Sequence, residues 1–186
     1  MLLEICIKER DFMEIIYFVH GTTFDNAASK CSGWRQVELN ELGKQQAIDL
    51  GKSTHYHFDI LFTSDLIRAI ETSRLAWPEV KKITDLRLRE CNYGDMDGKD
   101  SSLVSLDKHI EIAFPNGESL KDVEQRIRDF LKDIKQNYAN QQIGIIAHRA
   151  TQLAIEVITK NITWEEAIQN DWRKTKDWKP GWKYEI

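Results

Sequence analysis

The chain contains few cysteines, no excess of positive charge and no long apolar run, and each shortage excludes a class of protein. Its three cysteines, Cys6, Cys31 and Cys91, are an odd number in 186 residues and lack the paired spacing of a zinc site. Such sparse cysteine is typical of a reducing cytoplasm. The net charge of −4 offers no basis for binding nucleic acid or an anionic membrane, and no window approaches the length of a membrane span. We therefore expect a cytoplasmic protein that binds neither nucleic acid nor a membrane.

The first twelve residues differ from those that follow. Met1 to Ile7 is apolar but short, and it lacks the basic start and the cleavage site of a signal peptide. The first strong strand pattern begins at Met13, which we consider an alternative translation start. Residues 13–186 contain no repeat, low-complexity segment or linker, and their number suits one domain. We therefore predict a single domain over residues 13–186, with residues 1–12 as an N-terminal extension.

Two unalternating apolar runs, 15–19 and 143–147, each end in a histidine. Such runs, rich in Ile and Val, are typical of strands that are buried on both faces. Strand and helix patterns alternate between and around them. Strands are predicted over 58–63 and 83–90, and loops over 22–35 and 92–100. Helices are predicted over 41–52, 66–77, 102–112 and 151–159, and two further helices begin at 120 and 164. This alternation predicts an α/β protein, a three-layer α/β/α sandwich with a mostly parallel central sheet.

The two histidines, His20 and His148, follow their strands directly. Open α/β sheets bind ligands at the carboxyl ends of their strands, so both imidazoles are candidates for one site. Gly21 after His20 allows a ligand to approach the backbone closely. An imidazole that is held neutral by a backbone carbonyl can attack phosphorus. A hydrogen-bonded structural role is the alternative for any histidine, and we prefer it for the three others in the chain.

An arginine and a glutamate are placed to reach the same edge. Arg68 lies in the first turns of the helix predicted from Leu66, and its forked cation suits bidentate phosphate binding. The alternative is an ordinary solvated helical arginine. Glu90 ends a strand-like run, and its carboxyl group could donate a proton to a leaving alkoxide. The alternative there is an ion pair with Arg87 or Arg89.

Six short segments, in order along residues 13–158, match sequence motifs of one known family. They are His20-Gly21-Thr22-Thr23 with Asn26, Ser32-Gly33-Trp34, Leu42-Gly43 with Gln46-Ala47, Thr63-Ser64-Asp65-Leu66 with Arg68-Ala69 and Thr72, Leu88-Arg89-Glu90 with Tyr93-Gly94 and Asp97-Gly98, and Pro115-Asn116-Gly117-Glu118-Ser119 before Ala147-His148. In this order they resemble the histidine phosphatase superfamily, which includes cofactor-dependent phosphoglycerate mutase. The resemblance implies a phosphoglycerate mutase-like fold.

The resemblance also implies roles for single residues. His20 would be the nucleophile that becomes phosphohistidine, Arg68 and His148 would hold the phosphoryl group, and Glu90 would be the proton donor. The substrate-binding residues would be Gly21, Thr22, Thr23, Asn26, Ser32, Gly33 and Arg149. This chemistry requires no metal and no cofactor, because cationic groups and strand-end amides neutralise the transferring oxygens.

The chain departs from the family's pattern beside the nucleophile. The family normally carries arginine just before the histidine, where this chain has Val19, and Thr22 replaces the usual acidic or amide residue. Losing one charge-assisted donor is expected to weaken phosphate binding by about 1.5–3 kcal/mol, or about ten- to over a hundredfold. Arg149, where the family more often has glycine, is the candidate that would restore the charge.

The sequence favours a metal-independent phosphomonoesterase that acts on a phosphorylated small molecule. A phosphoglycerate mutase is the first alternative, but only a short segment separates Gly98 from Pro115, and an open pocket that admits water favours hydrolysis. A catalytically impaired relative that binds a phosphorylated ligand is the second. The identity of the substrate and the oligomeric state stay open.

Overall fold

The computed structural model of the protein describes residues 12–175, 179 and 181–186, and at its centre is a five-stranded sheet. The strands are β1 (Glu14–Val19), β2 (Ile60–Thr63), β3 (Lys81–Thr84), β4 (Ile143–Ala147) and β5 (Trp182–Glu185). Their order is β3-β2-β4-β1-β5, with β5 antiparallel to β1 and the other pairs parallel. The predicted α/β fold with a mostly parallel sheet is confirmed. Except for Phe12, the expected N-terminal extension lies outside the described residues.

Helices cover both faces of the sheet. In the described part of the chain they are α1 (Phe24–Ala27), α2 (Glu41–Ser53), α3 (Ile67–Ala76), α4 (Leu120–Asn137), α5 (Arg149–Lys160), α6 (Trp164–Gln169) and α7 (Trp172–Thr175). The side chain of Asn40 caps α2 by accepting from Gly43 N at 2.9 Å, and Ser119 forms a capping box with Asp122 at the start of α4. These polar caps satisfy backbone groups that the helices leave unpaired.

Two hydrophobic cores explain why the β1 run does not alternate. Successive side chains of a strand point to opposite faces, so Ile15 and Tyr17 join the core beneath α4 and α5, and Ile16 and Phe18 join the core beside α3. All four side chains are at most 5% exposed. Burial on both faces therefore requires apolar residues at every position of β1.

Three segments differ from the prediction. The strand predicted over 83–90 ends at Thr84, because the Asp85 carboxylate accepts from Arg87 N at 2.9 Å and turns Leu86–Leu88 into a 3₁₀ helix. The helix predicted over 102–112 is replaced by two 3₁₀ turns, Ser101–Leu103 and Leu106–His109. The loop predicted over 22–35 contains α1.

Candidate active site

The parallel pairing of β1 with β4 brings the two strand-end histidines together. Val19 is paired with Ala147, and His20 N donates to the Ala147 carbonyl at 3.2 Å. The imidazole of His20 therefore lies beside that of His148, with ring centroids 5.1 Å apart and ring planes at 58°. The expected juxtaposition at one sheet edge is present.

The His20 ring is fixed in one tautomer. Its Nδ1 lies 2.7 Å from the carbonyl oxygen of Gly21, and since a carbonyl only accepts, Nδ1 carries the proton and Nε2 keeps its lone pair. Removal from bulk water and, next, the positive charge of Arg68 lower the pKa of His20 to about 3. The imidazole is therefore neutral and nucleophilic from mildly acidic pH upward.

Two glycines, one after His20 and one in α2, allow the two segments to approach closely. Gly21 N donates to Thr72 Oγ1 at 3.1 Å, and a Cβ on Gly21 would lie 2.5 Å from the carbonyl oxygen of Gly43. A Cβ on Gly43 would in turn lie 2.0 Å from the Thr22 carbonyl oxygen. The segment after His20 thus packs backbone to backbone against the first turn of α2, which holds the imidazole in place.

His148 is fully buried, and its ring is oriented by a serine. Its Nε2 lies 2.6 Å from Ser64 Oγ, while Nδ1 is buried without a hydrogen-bond partner among the described residues. Ser64 Oγ also accepts from Leu66 N at 3.4 Å, so its hydroxyl proton is available to Nε2. That arrangement leaves Nδ1–H as an unused donor near His20. Burial, then the charges of Arg68 and His20, lower the pKa of His148 well below its usual value.

Arg68 is held by the loop that precedes α2. Its side chain is only 1% exposed, and its two terminal nitrogens donate to the carbonyl oxygens of Arg35 at 2.9 Å and Gly33 at 2.8 Å. Gly33 has φ +47°, and a Cβ there would lie 1.7 Å from Asp97 Oδ1, so no other residue fits the turn. Arg68 Nε is buried without a partner in the described part of the chain. The guanidinium is therefore preorganised, with a donor to spare for an anion.

Glu90 is anchored by backbone amides. Its Oε1 accepts from Cys91 N at 2.9 Å and from Ala150 N at 3.0 Å, and the residue is 8% exposed. No described residue makes a hydrogen bond to its other oxygen, Oε2. The alternative of an ion pair with Arg87 or Arg89 is not realised, because those arginines pair with Asp85, Asp133 and Asp65. One carboxylate oxygen thus faces the site.

These side chains line a cavity of about 810 Å³, which is large enough for a small organic ligand. The predicted site residues on its wall are His20, Gly21, Thr22, Asn26, Ser32, Gly33, Arg68, Glu90 and Arg149. Thr23 and His148 are not on the wall, since both are 0% exposed. Thr23 instead caps α1, its hydroxyl oxygen accepting from Asn26 N at 3.0 Å. A substrate-binding role for Thr23 is thus limited to supporting Asn26.

Other lining residues were not assigned a role from the sequence, among them Gln46, Tyr93, Trp172 and Arg173. Gln46 Oε1 accepts from both the amide and the hydroxyl of Thr22 at 2.9 Å, which explains its place in the family-like motif. Trp172 and Arg173 belong to a tail whose sequence has no recognisable pattern. The hydrogen bond from Trp172 Nε1 to Gln152 Oε1 of α5, 3.1 Å long, ties this part of the tail to the helix that follows His148.

Within the described residues, no group of three or more His, Cys, Asp and Glu side chains is arranged to hold a metal ion. The same part of the chain has no helix both long and apolar enough to cross a bilayer.

The partly buried His20 and the buried His148 predict a pH-dependent stability. The pKa of His20 falls from 6.5 in the unfolded chain to about 3 in the folded protein, and that of His148 is also lowered. At pH values between the folded and the unfolded pKa, only the unfolded chain binds these protons. Stability should therefore decrease as pH falls below about 6.5, by at most about 2.7 kcal/mol per pH unit for the pair. Urea unfolding between about pH 7 and pH 5 measures this slope.

Removing one of the two groups provides the control. His20→Gln should lower the slope by up to half, because the unfolded variant takes up one proton fewer. The carboxylates with lowered pKa, such as Asp65 and Asp85, titrate below this range and do not interfere. A wild-type stability that stays constant from about pH 7 to pH 5 would contradict the burial of neutral histidines.

The site thus places a neutral histidine beside a fixed arginine and a carboxylate, at the edge of the sheet where the parallel strands end. The family model of the histidine phosphatase superfamily (branch 1) matches residues 16–177. The chain belongs to this superfamily, as the motifs predicted.

Proteins of similar sequence carry the name phosphoglycerate mutase. A 2,3-bisphosphoglycerate-dependent phosphoglycerate mutase from Bartonella bacilliformis is 31% identical over 169 residues, covering 80% of this chain and 82% of the mutase. The chain matches the enzyme of that name from Streptococcus mutans at 39% identity over 100 residues, which is 48% of this chain and 43% of the mutase. That second match spans less than half of either protein.

Solved structures agree on the fold. Bacillus stearothermophilus YhfR superposes with a TM-score of 0.74 at 25% identity, covering 83% of each chain. The alpha-ribazole phosphatase from Shigella flexneri gives a TM-score of 0.75 at 22% identity over 84% of each chain. A mycobacterial glucosyl-3-phosphoglycerate phosphatase gives 0.74 at 22% identity over 84% of this chain and 83% of its own. The phosphoglycerate mutase-like fold is confirmed.

Proposed function

We propose that the protein is a metal-independent phosphomonoesterase that hydrolyses a phosphorylated small molecule through a phosphohistidine at His20. The observation that carries this proposal is the neutral His20 ring, fixed by the Gly21 carbonyl at 2.7 Å, on one cavity wall with Arg68 and Glu90. A nucleophile, a cation and a proton donor converge there. The free thiols of Cys31 and Cys91 support a reducing compartment, and we propose the cytoplasm.

The first half-reaction forms the covalent intermediate. His20 Nε2 forms a bond to phosphorus while the bond between phosphorus and the ester oxygen breaks, and the electron pair of that bond stays on the oxygen. Glu90, in its protonated form, gives the oxygen a proton, so an alcohol leaves. Arg68 donates to the phosphoryl oxygens as their charge is redistributed, and His148, which the sequence assigned to the same role, is instead buried with its ring centroid 5.1 Å from that of His20.

The second half-reaction returns the enzyme to its starting state. A water molecule gives its proton to the Glu90 carboxylate and attacks phosphorus, and the bond to His20 Nε2 breaks with its electron pair returning to nitrogen. Inorganic phosphate leaves, and Glu90 is protonated again. The exposed residues Lys30 and Asp49 line the same cavity, so its mouth is open to water, which supports hydrolysis over transfer.

A phosphoglycerate mutase is the second candidate, because the Bartonella bacilliformis relative carries that name at 31% identity. The two functions differ in their products. A phosphatase releases inorganic phosphate from 3-phosphoglycerate or p-nitrophenyl phosphate, whereas a mutase isomerises phosphoglycerate and conserves the ester.

The test is incubation of the protein in chelator with each substrate, beside the His20→Ala variant. We expect phosphate release from p-nitrophenyl phosphate that the variant does not show. Isomerisation without phosphate release would identify a mutase. Binding of phosphate with no turnover of either substrate would identify a catalytically impaired relative and refute the hydrolase.

A further inference from the structure

The charges that face the cavity are poorly matched to a phosphomonoester dianion. Beside His20 the wall carries Arg68, which is positive, and Glu90, which is negative when ionised, while the exposed Lys30 and Asp49 have opposite charges. Removal from water keeps the His20 ring neutral. Arg149, the arginine that follows His148, is engaged elsewhere: its Nε and terminal nitrogen both lie 2.5 Å from Asp171 Oδ2, and Asp171 is 2% exposed. Its charge is therefore already balanced. A dianion bound at His20 needs another cation.

Arg173 is a third guanidinium on the same cavity wall, beside Arg68 and Arg149. Its side chain is exposed, and no described carboxylate forms an ion pair with it. The guanidinium carbon lies 5.3 Å from the ring centroid of Trp172, a cation–π contact that limits its orientation and leaves its N–H groups available. Arg173 thus differs from Arg149 in having free hydrogen-bonding capacity.

The position of Arg173 is set by a buried carboxylate. Asp171 Oδ1 accepts from Arg173 N at 3.0 Å, while Oδ2 of the same carboxylate binds Arg149 at the start of α5. Trp172 Nε1 donates to Gln152 Oε1 at 3.1 Å, which ties α7 to α5 a second time. Because α5 begins directly after His148, these contacts tie the backbone of Arg173 to the segment that carries this histidine.

We propose that Arg173 binds the phosphoryl group of the substrate, so that a residue of the C-terminal tail completes the phosphate site. This inference rests on the proposed function. A guanidinium donates two parallel hydrogen bonds to phosphate oxygens, and Arg68 and Arg173 together balance the two charges of the ester. The field of Arg173 also helps Arg68 to lower the pKa of His20, which places its charge within reach of the nucleophile.

The experiment compares Arg173→Gln with Lys30→Gln, since Lys30 is an exposed cation on the wall of the same cavity. Titration calorimetry measures the affinity for inorganic phosphate, and steady-state assays measure kcat and KM for p-nitrophenyl phosphate. Arg173→Gln should weaken phosphate binding about ten- to a hundredfold and raise KM more than it lowers kcat. Arg173→Lys should restore part of the affinity, and Lys30→Gln should leave it within about twofold of wild type.

Several results would overturn the inference. Unchanged phosphate affinity in Arg173→Gln would do so, and so would an equal loss in Lys30→Gln, which would indicate a general field effect. Absence of phosphate binding by the wild type would overturn it as well. A melting temperature measured without phosphate should match wild type, since the Arg173 side chain is exposed. If the wild type binds phosphate but does not hydrolyse p-nitrophenyl phosphate, the proposed hydrolase activity is refuted. The binding role of Arg173 is then still tested, because phosphate affinity is measured separately.

Discussion

His20→Ala is expected to abolish turnover of p-nitrophenyl phosphate, with a loss of at least about 10⁴-fold in kcat. The loss is large because the His20 ring is the only group whose nucleophilic nitrogen is freed by a carbonyl contact, that of Gly21 at 2.7 Å, among the described residues of the cavity wall. Without it, no covalent intermediate forms, and water must attack the ester directly.

The covalent step has a direct readout. Wild-type protein quenched during turnover should carry one phosphate that is labile in acid and stable in alkali, as expected of phosphohistidine, and His20→Ala should carry none. His55→Ala, a matched change at an exposed histidine, should retain wild-type turnover. Turnover by His20→Ala comparable to wild type, or acid-labile label that persists in it, would assign the nucleophile elsewhere.

Glu90→Gln is expected to have the second-largest effect, and its size should depend on the leaving group. For an alkyl phosphate we expect a loss of about 10²–10⁴-fold in kcat, because the departing alkoxide then receives no proton. For p-nitrophenyl phosphate the loss should be much smaller, because nitrophenolate leaves without protonation. A glutamine oxygen still accepts from Cys91 N and Ala150 N, so the local structure should persist.

Comparison of the two substrates on one protein sample provides the control. A fold change that is the same for the alkyl and the aryl ester would mean that Glu90 acts on binding or structure and not as the acid. Melting temperatures of wild type and Glu90→Gln check that the substitution leaves the fold intact.

The pairing of His20 with His148 could be predicted from the sequence because it depends on local pattern. Apolar runs at 15–19 and 143–147 identify buried strands, and parallel strands end at a common edge. The motifs around Arg68 and Glu90 likewise placed both residues on the cavity wall. A strand end or helix start places the two histidines and Arg68, whereas Glu90 follows a 3₁₀ helix and is held by backbone amides.

Side-chain competition explains the segments that the sequence misassigned. Residues 83–90 look strand-like, but Asp85 satisfies the amide of Arg87 and ends β3 at Thr84. Thr23 looks like a pocket residue, yet its hydroxyl caps α1 and is removed from the cavity. A short polar side chain near a backbone amide can form a local turn, and the periodicity of apolar residues does not predict such a turn.

The sequence by itself determined the family and the α/β fold, because motifs and strand periodicity are local patterns, and it supplied the candidate constellation around His20. Only the tertiary structure decided how charge is distributed around that constellation. Asp171 removes Arg149 from the set of free cations and positions Arg173 in its stead. The Asp171 carboxylate joins the start of α5 to α7, a contact between residues far apart in the chain that no local pattern encodes.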